Sequence, residues 1–106
     1  MDEAVIYGFG SFFNNKADFQ DIDILILHRS TSYKSCQFSL RCKKYLLSNL
    51  SSAHITILSD SEEHQLAFLE KSRAKYLGKV YDESFENSLD LILAQIIRVN
   101  TIIWAR

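Results

Sequence analysis

The sequence predicts one small α/β or α+β domain, in which helices pack on a mixed β-sheet. The chain has 106 residues, a length that suits a single domain and leaves little room for two. Apolar residues make up 47% of the chain, which is enough for a packed core. Short apolar runs alternate with longer amphipathic segments in the order strand, turn, strand, helix, strand, helix, helix, and this alternation predicts the class.

The N-terminal half contains two predicted strands joined by a turn, followed by a helix. Ala4–Gly8 is a short apolar run, as expected of a buried strand. Gly10–Phe13 fits a helical turn, and residues 14–20 are polar and fit a loop. Asp21–His28 is rich in β-branched and apolar residues and predicts the second strand. Apolar residues at helical spacing predict a helix over Lys34–Leu50. Its apolar face consists of Phe38, Cys42, Tyr45, Leu46 and Leu50.

The C-terminal half begins with a third predicted strand. His54–Leu58, HITIL, has the composition of a buried strand. Ser59 and Glu62 have the spacing of a capping box, which predicts a helix that starts there and runs through Leu69. Ala74–Gly78 fits either a short strand or a turn.

The last predicted helix extends from about Glu83 to Trp104, with acidic residues at its start, as the helix dipole favours. It has two adjacent apolar stripes, whereas one stripe is enough to cover a small sheet. The excess predicts a second apolar contact, with another copy of the chain or with a partner subunit. Burial on both sides within a compact monomer is the alternative. The first stripe is Phe85, Leu89, Ile92, Ile96, Val99 and Ile103, and the second is Leu93, Ile97 and Trp104.

Charge and cysteine content narrow the class of protein. The net charge of −1 argues against a nucleic-acid coat and against a polybasic membrane binder, so nucleic acid is not an expected partner. Cys36 and Cys42 have no zinc-site spacing, which predicts free thiols in a reducing compartment. No clean apolar run of about 18 residues is present, and the acidic start does not resemble a signal peptide. We therefore expect a cytoplasmic protein without a membrane span.

The stretch Gly10–Leu27 carries the strongest functional signal. Asp21 and Asp23 are two apart on a predicted strand, so their side chains project to the same face. Paired carboxylates repel each other unless a cation lies between them, and Mg²⁺ binds one or two carboxylates together with phosphate oxygens. Gly10 lets the backbone approach an anion, and Ser11 adds a hydroxyl donor. The plainer alternative is a turn glycine with a capping serine and two unrelated surface carboxylates.

This arrangement resembles the DNA polymerase β-like nucleotidyltransferase superfamily, in which an apolar-Gly-Ser element precedes Asp-apolar-Asp on the next strand. The resemblance covers about residues 5–69 and is closest to minimal single-domain members, which are often paired with a small helical partner in toxin–antitoxin or defence modules. It implies a nucleotidyltransferase-like fold in which Gly10 and Ser11 hold a nucleoside triphosphate such as ATP. It also implies that Asp21 and Asp23 hold Mg²⁺ for nucleotidyl transfer by in-line displacement.

Two positions depart from the pattern of that superfamily. Its third carboxylate, on the third strand, is replaced here by His54, or by Thr56 if the register is shifted. The Arg-Gly that often follows Gly-Ser is missing, and Lys16 is expected to supply a positive charge instead. A neutral imidazole at residue 54 can act as a base or as a metal ligand. A strand histidine that only forms hydrogen bonds is the alternative.

The sequence thus leaves three hypotheses. The leading one is a domain that binds Mg²⁺–nucleoside triphosphate and transfers a nucleoside monophosphate to a hydroxyl of a partner macromolecule, with Asp21, Asp23 and His54 as catalytic residues. The second is a catalytically degenerate subunit that binds a nucleotide or a partner, as in an antitoxin or a component of a defence module. The third is an unrelated α/β interaction protein.

Overall fold

A computed structural model of the chain describes residues 2–14 and 21–104, with side chains for 2–14 and 21–98. Its centre is a four-stranded mixed sheet in the order β3-β2-β1-β4, which confirms the predicted class. The central strand β1 is antiparallel to both of its neighbours, and β2 and β3 are parallel. The strands are β1 (Glu3–Phe9), β2 (Ile22–His28), β3 (Ala53–Ser59) and β4 (Lys75–Tyr81).

In the described ranges 2–14 and 21–104, five α-helices connect or cover these strands. Two of them are long, and the sequence predicts both to within three residues at either end. The helices are α1 (Gly10–Phe13), α2 (Tyr33–Asn49), α3 (Asp60–Leu66), α4 (Phe68–Ser72) and α5 (Phe85–Trp104), with a 3₁₀ turn at Asp82–Ser84 before α5.

The segment between β3 and α5 differs most from the sequence-based expectation. The capping box is confirmed: the Glu62 N–H donates to Ser59 Oγ at 3.3 Å, and Glu62 Oε1 accepts from the Ser59 N–H at 2.9 Å. The predicted helix does not continue to Leu69, because Ala67 is left-handed at φ 49° and separates α3 from α4. The uncertain segment Ala74–Gly78 belongs to a full strand, β4, which pairs with β1.

The two faces of the sheet are covered unequally. On one face, α2 and α5 pack on alternate strand residues such as Ile6, Ile24 and Ile26, which are completely buried. The opposite face carries Asp23 and is crossed by the shorter helices α3 and α4. There the rings of Phe9 and Phe68 meet edge to face, with centroids 5.0 Å apart. The polar end of β2 therefore lies on the less covered face.

The apolar residues of α5 divide between core and surface. Leu89, Ile92 and Ile96 of the first stripe are buried in the core. In the second stripe, Leu93 is buried as well, whereas Ile97 is 59% exposed. Of the two members of the second stripe whose side chains the structure describes, one is thus packed within the domain and the other faces solvent. The side chains of the remaining stripe members, Val99, Ile103 and Trp104, lie outside the described residues.

Side chains of α5 also bond to the backbone of the edge strand β4. Gln95 Nε2 donates to the Leu77 carbonyl oxygen at 2.7 Å, and the Tyr81 N–H donates to Ser88 Oγ at 3.4 Å. The two bonds fasten α5 along the length of β4. Within the described part of the chain, no helix combines the length and the apolar character that a membrane span requires.

Candidate functional site

The turn between β1 and α1 brings the backbone against a carboxylate. Gly10 has φ +80°, a left-handed conformation that glycine adopts without a steric penalty. A Cβ built at this position would collide with Oδ2 of Asp23, the register partner of Phe9 on β2. The predicted proximity of the Gly-Ser turn (Gly10 and Ser11) to the second strand is therefore present in the structure.

Asp23 lies in a setting that disfavours its charge. Partial burial raises the pKa of Asp23, and the nearby carboxylate of Asp21 raises it further, whereas His54 acts in the opposite direction. Asp21 directly precedes β2, which begins at Ile22, one residue later than predicted. Its charge nonetheless lies close enough to contribute to the raised pKa of Asp23.

His54 is the residue of β3 that lies beside Asp23. The parallel register pairs Asp23 with His54 and Leu25 with Thr56. Of the two positions that the sequence offers for a missing third carboxylate, His54 is thus the one that lies beside Asp23. His54 is exposed and accessible from solvent.

Few side chains at this site could bind a metal ion. Among residues 2–14 and 21–98, no three His, Cys, Asp or Glu side chains are grouped so that they could hold a metal ion together. A cation here would have two carboxylates, Asp21 and Asp23, and would need oxygen atoms from a bound molecule or water to complete its shell. Mg²⁺ typically binds in that way, keeping several non-protein ligands. The residues present therefore fit a substrate-assisted Mg²⁺ site better than a complete protein cage.

Ser11 and Lys16 are the two remaining residues predicted to bind the nucleotide. Ser11 follows Gly10 in α1 and is half-buried, beside the turn that approaches Asp23. Lys16, expected to supply a positive charge, lies outside the described residues.

Lys75 contacts the helix that begins at the Gly-Ser turn, and sequence reasoning missed this contact. It is the first residue of β4 and the register partner of Gly8 on β1, so it lies at the sheet edge that carries Gly10. Its Nζ donates to the carbonyl oxygen of Phe13 at 2.5 Å. No local pattern could have shown this, because the bond joins residues 62 positions apart. Only the pairing of β4 with β1 brings them together.

Comparisons with known proteins do not assign the chain to a family. No protein-family model, no curated protein and no solved structure matches it. Functional inference therefore depends on the geometry at this edge of the sheet.

Proposed function

We propose that this protein binds a Mg²⁺–nucleoside triphosphate, such as Mg²⁺–ATP, at the edge of the sheet formed by the end of β1 and the start of β2. The observation that carries the proposal is the close approach of the left-handed Gly10 to the carboxylate of Asp23. A metal held by Asp21 and Asp23 would offset part of the negative charge of the carboxylates and of the phosphate chain. The side chain of Ser11 would donate to a phosphate oxygen.

The raised pKa of Asp23 supports the same proposal. A partly buried carboxylate beside a second carboxylate is unfavourable unless a cation joins them. A carboxyl group whose pKa is raised by burial and by a neighbouring charge is typical of functional sites.

Isothermal titration calorimetry with ATP and Mg²⁺ tests the proposal. The wild-type protein should bind, and the double substitution Asp21→Asn plus Asp23→Asn should abolish binding. Asp90→Asn is the matched control, since Asp90 lies on α5 and accepts a hydrogen bond from Tyr45 at 2.7 Å, which an amide oxygen can still accept. Equal binding by the double mutant would refute the proposal.

The second part of the proposal is the transfer of a nucleoside monophosphate. His54 is the residue to substitute in its test, because it pairs with Asp23 across β2 and β3. Because the described residues beside Asp21 and Asp23 do not supply a third carboxylate to a metal group, we expect slow transfer or none. Labelled ATP, offered with candidate protein or RNA acceptors, reports the reaction. Transfer that is lost in His54→Ala would assign a catalytic role to this imidazole. Binding without transfer would favour a degenerate nucleotide-binding subunit.

A further inference from the structure

The single-turn helix α1 is bonded to a lysine of β4, 62 positions further along the chain. Lys75, at the start of β4, donates from Nζ to the last carbonyl of α1, that of Phe13, at 2.5 Å. A lysine at the C-terminal end of a helix satisfies an unpaired carbonyl and carries the charge that the helix dipole favours there. The bond joins the fourth strand to the turn that follows the first.

The rest of α1 is packed against the same part of the fold. The rings of Phe12 and Phe13 are buried, and Phe13 lies directly over Gly8, where a Cβ would strike its ring. Asn14, which follows α1, donates from Nδ2 to the carbonyl oxygen of Gly10, the first residue of α1, at 2.8 Å. With only four residues, α1 has little stability of its own, so these tertiary contacts fix its position.

We propose that Lys75 is a positioning residue of the nucleotide site, and this inference rests on the proposed function. By holding the carbonyl of Phe13, Lys75 fixes α1, and α1 begins with Gly10 and Ser11. The distance between these residues and Asp23 therefore depends on a lysine that lies on a different strand. Lys75 acts through α1 and need not touch the nucleotide itself.

Three substitutions test this inference. Lys75→Met removes the ammonium donor at similar length, Lys75→Arg keeps a donor, and Lys79→Met removes an equal charge from the same strand. Lys79 is paired with Glu3 of β1, with Nζ 3.9 Å from Glu3 Oε1. Each variant is titrated with Mg²⁺–ATP at a temperature at which urea unfolding shows it to be fully folded. Amide hydrogen exchange of Asn14, whose N–H is bonded to the carbonyls of Gly10 and Ser11, is measured in parallel.

We expect Lys75→Met to bind Mg²⁺–ATP up to about tenfold more weakly, the limit reached when the whole contribution of one hydrogen bond from a charged donor is transmitted to the site. We also expect faster exchange at Asn14, restoration of both properties by Lys75→Arg, and no change in Lys79→Met. Wild-type affinity in Lys75→Met, together with lost binding in the double substitution Asp21→Asn plus Asp23→Asn, would overturn the inference and leave the proposed function intact. A wild-type protein that does not bind Mg²⁺–ATP would overturn both.

Discussion

The carboxylate of Asp23 occupies the space into which a side chain at residue 10 would project. Gly10 therefore meets two requirements at once: it adopts a left-handed backbone, and it leaves room for a neighbouring charge. The two residues belong to different elements, α1 and β2, so their contact couples the position of the turn to the position of the carboxylate.

Replacing Gly10 by alanine should destabilise the fold by about 1–2 kcal/mol, because φ +80° is strained for any residue with a Cβ. Part of the loss should come from the collision with Asp23. Urea unfolding of Gly10→Ala, Asp23→Ala and the double mutant measures both contributions. The alanine at residue 10 should cost less when Asp23 is already alanine. Strictly additive losses would show that the contact has no energetic role.

The titration of Asp23 should make stability depend on pH in a defined direction. Because its pKa is raised in the folded protein, the folded state binds the proton more tightly than the unfolded state. The contribution of Asp23 is therefore greatest at acid pH and is lost as the pH rises from about 4, the ordinary aspartate value, through the raised value. Relative to wild type, Asp23→Asn should gain stability between pH 3 and pH 7 in urea unfolding. A difference that does not change with pH would contradict this prediction.

The two thiols should differ sharply in reactivity. Burial raises the pKa of Cys42 to about 12, whereas Cys36 is only partly buried. The thiolate fraction of Cys42 at neutral pH should be about a thousandfold below that of an ordinary thiol, and its core position limits access further. Native protein treated with iodoacetamide and analysed by mass spectrometry should carry the label at Cys36. Labelling of Cys42 should require denaturant, and equal labelling of both in native protein would contradict the placement of Cys42.

Self-association or a partner subunit stays a prediction, and two adjacent residues of α5 allow a test of it. Ile96 is 1% exposed and Ile97 is 59% exposed. Ile96→Asp should unfold the domain, since it buries a charge in the core. Ile97→Asp should leave the circular dichroism spectrum and the unfolding midpoint close to wild type. If α5 contacts another chain through Ile97, light scattering should show a smaller particle for Ile97→Asp than for wild type. Identical monomeric particles for both would count against this surface.

Features of the fold and of the candidate site that depend on a local pattern could be predicted from the sequence. The alternation of β2 places Asp23 opposite the core residues Ile22 and Ile24, and the capping box at Ser59 marks the start of α3. The break at Ala67 was beyond local reasoning, because alanine has high helix propensity and rarely adopts a left-handed conformation.

The remaining parts of the site depend on long-range pairing. The choice between His54 and Thr56 requires the register of β2 against β3, which no local pattern fixes. The place of Lys75 requires β4 to pair with β1, although the segment also fits a turn from its sequence. In both cases the spatial neighbour of the residue follows from strand pairing and could not be predicted from the local sequence.

The two bonds from α5 to the edge strand β4 have a consequence for assembly. A strand at the border of a sheet is a template on which foreign strands can add, with fibrous aggregation as the extreme outcome. Here the carbonyl of Leu77 and the N–H of Tyr81 are already occupied by Gln95 and Ser88. A strand added along this border would have to displace both side chains. The helix α5 therefore opposes the addition of another strand along β4. A partner approaching this border would meet the side chains of Gln95 and Ser88 before it reached these two backbone groups.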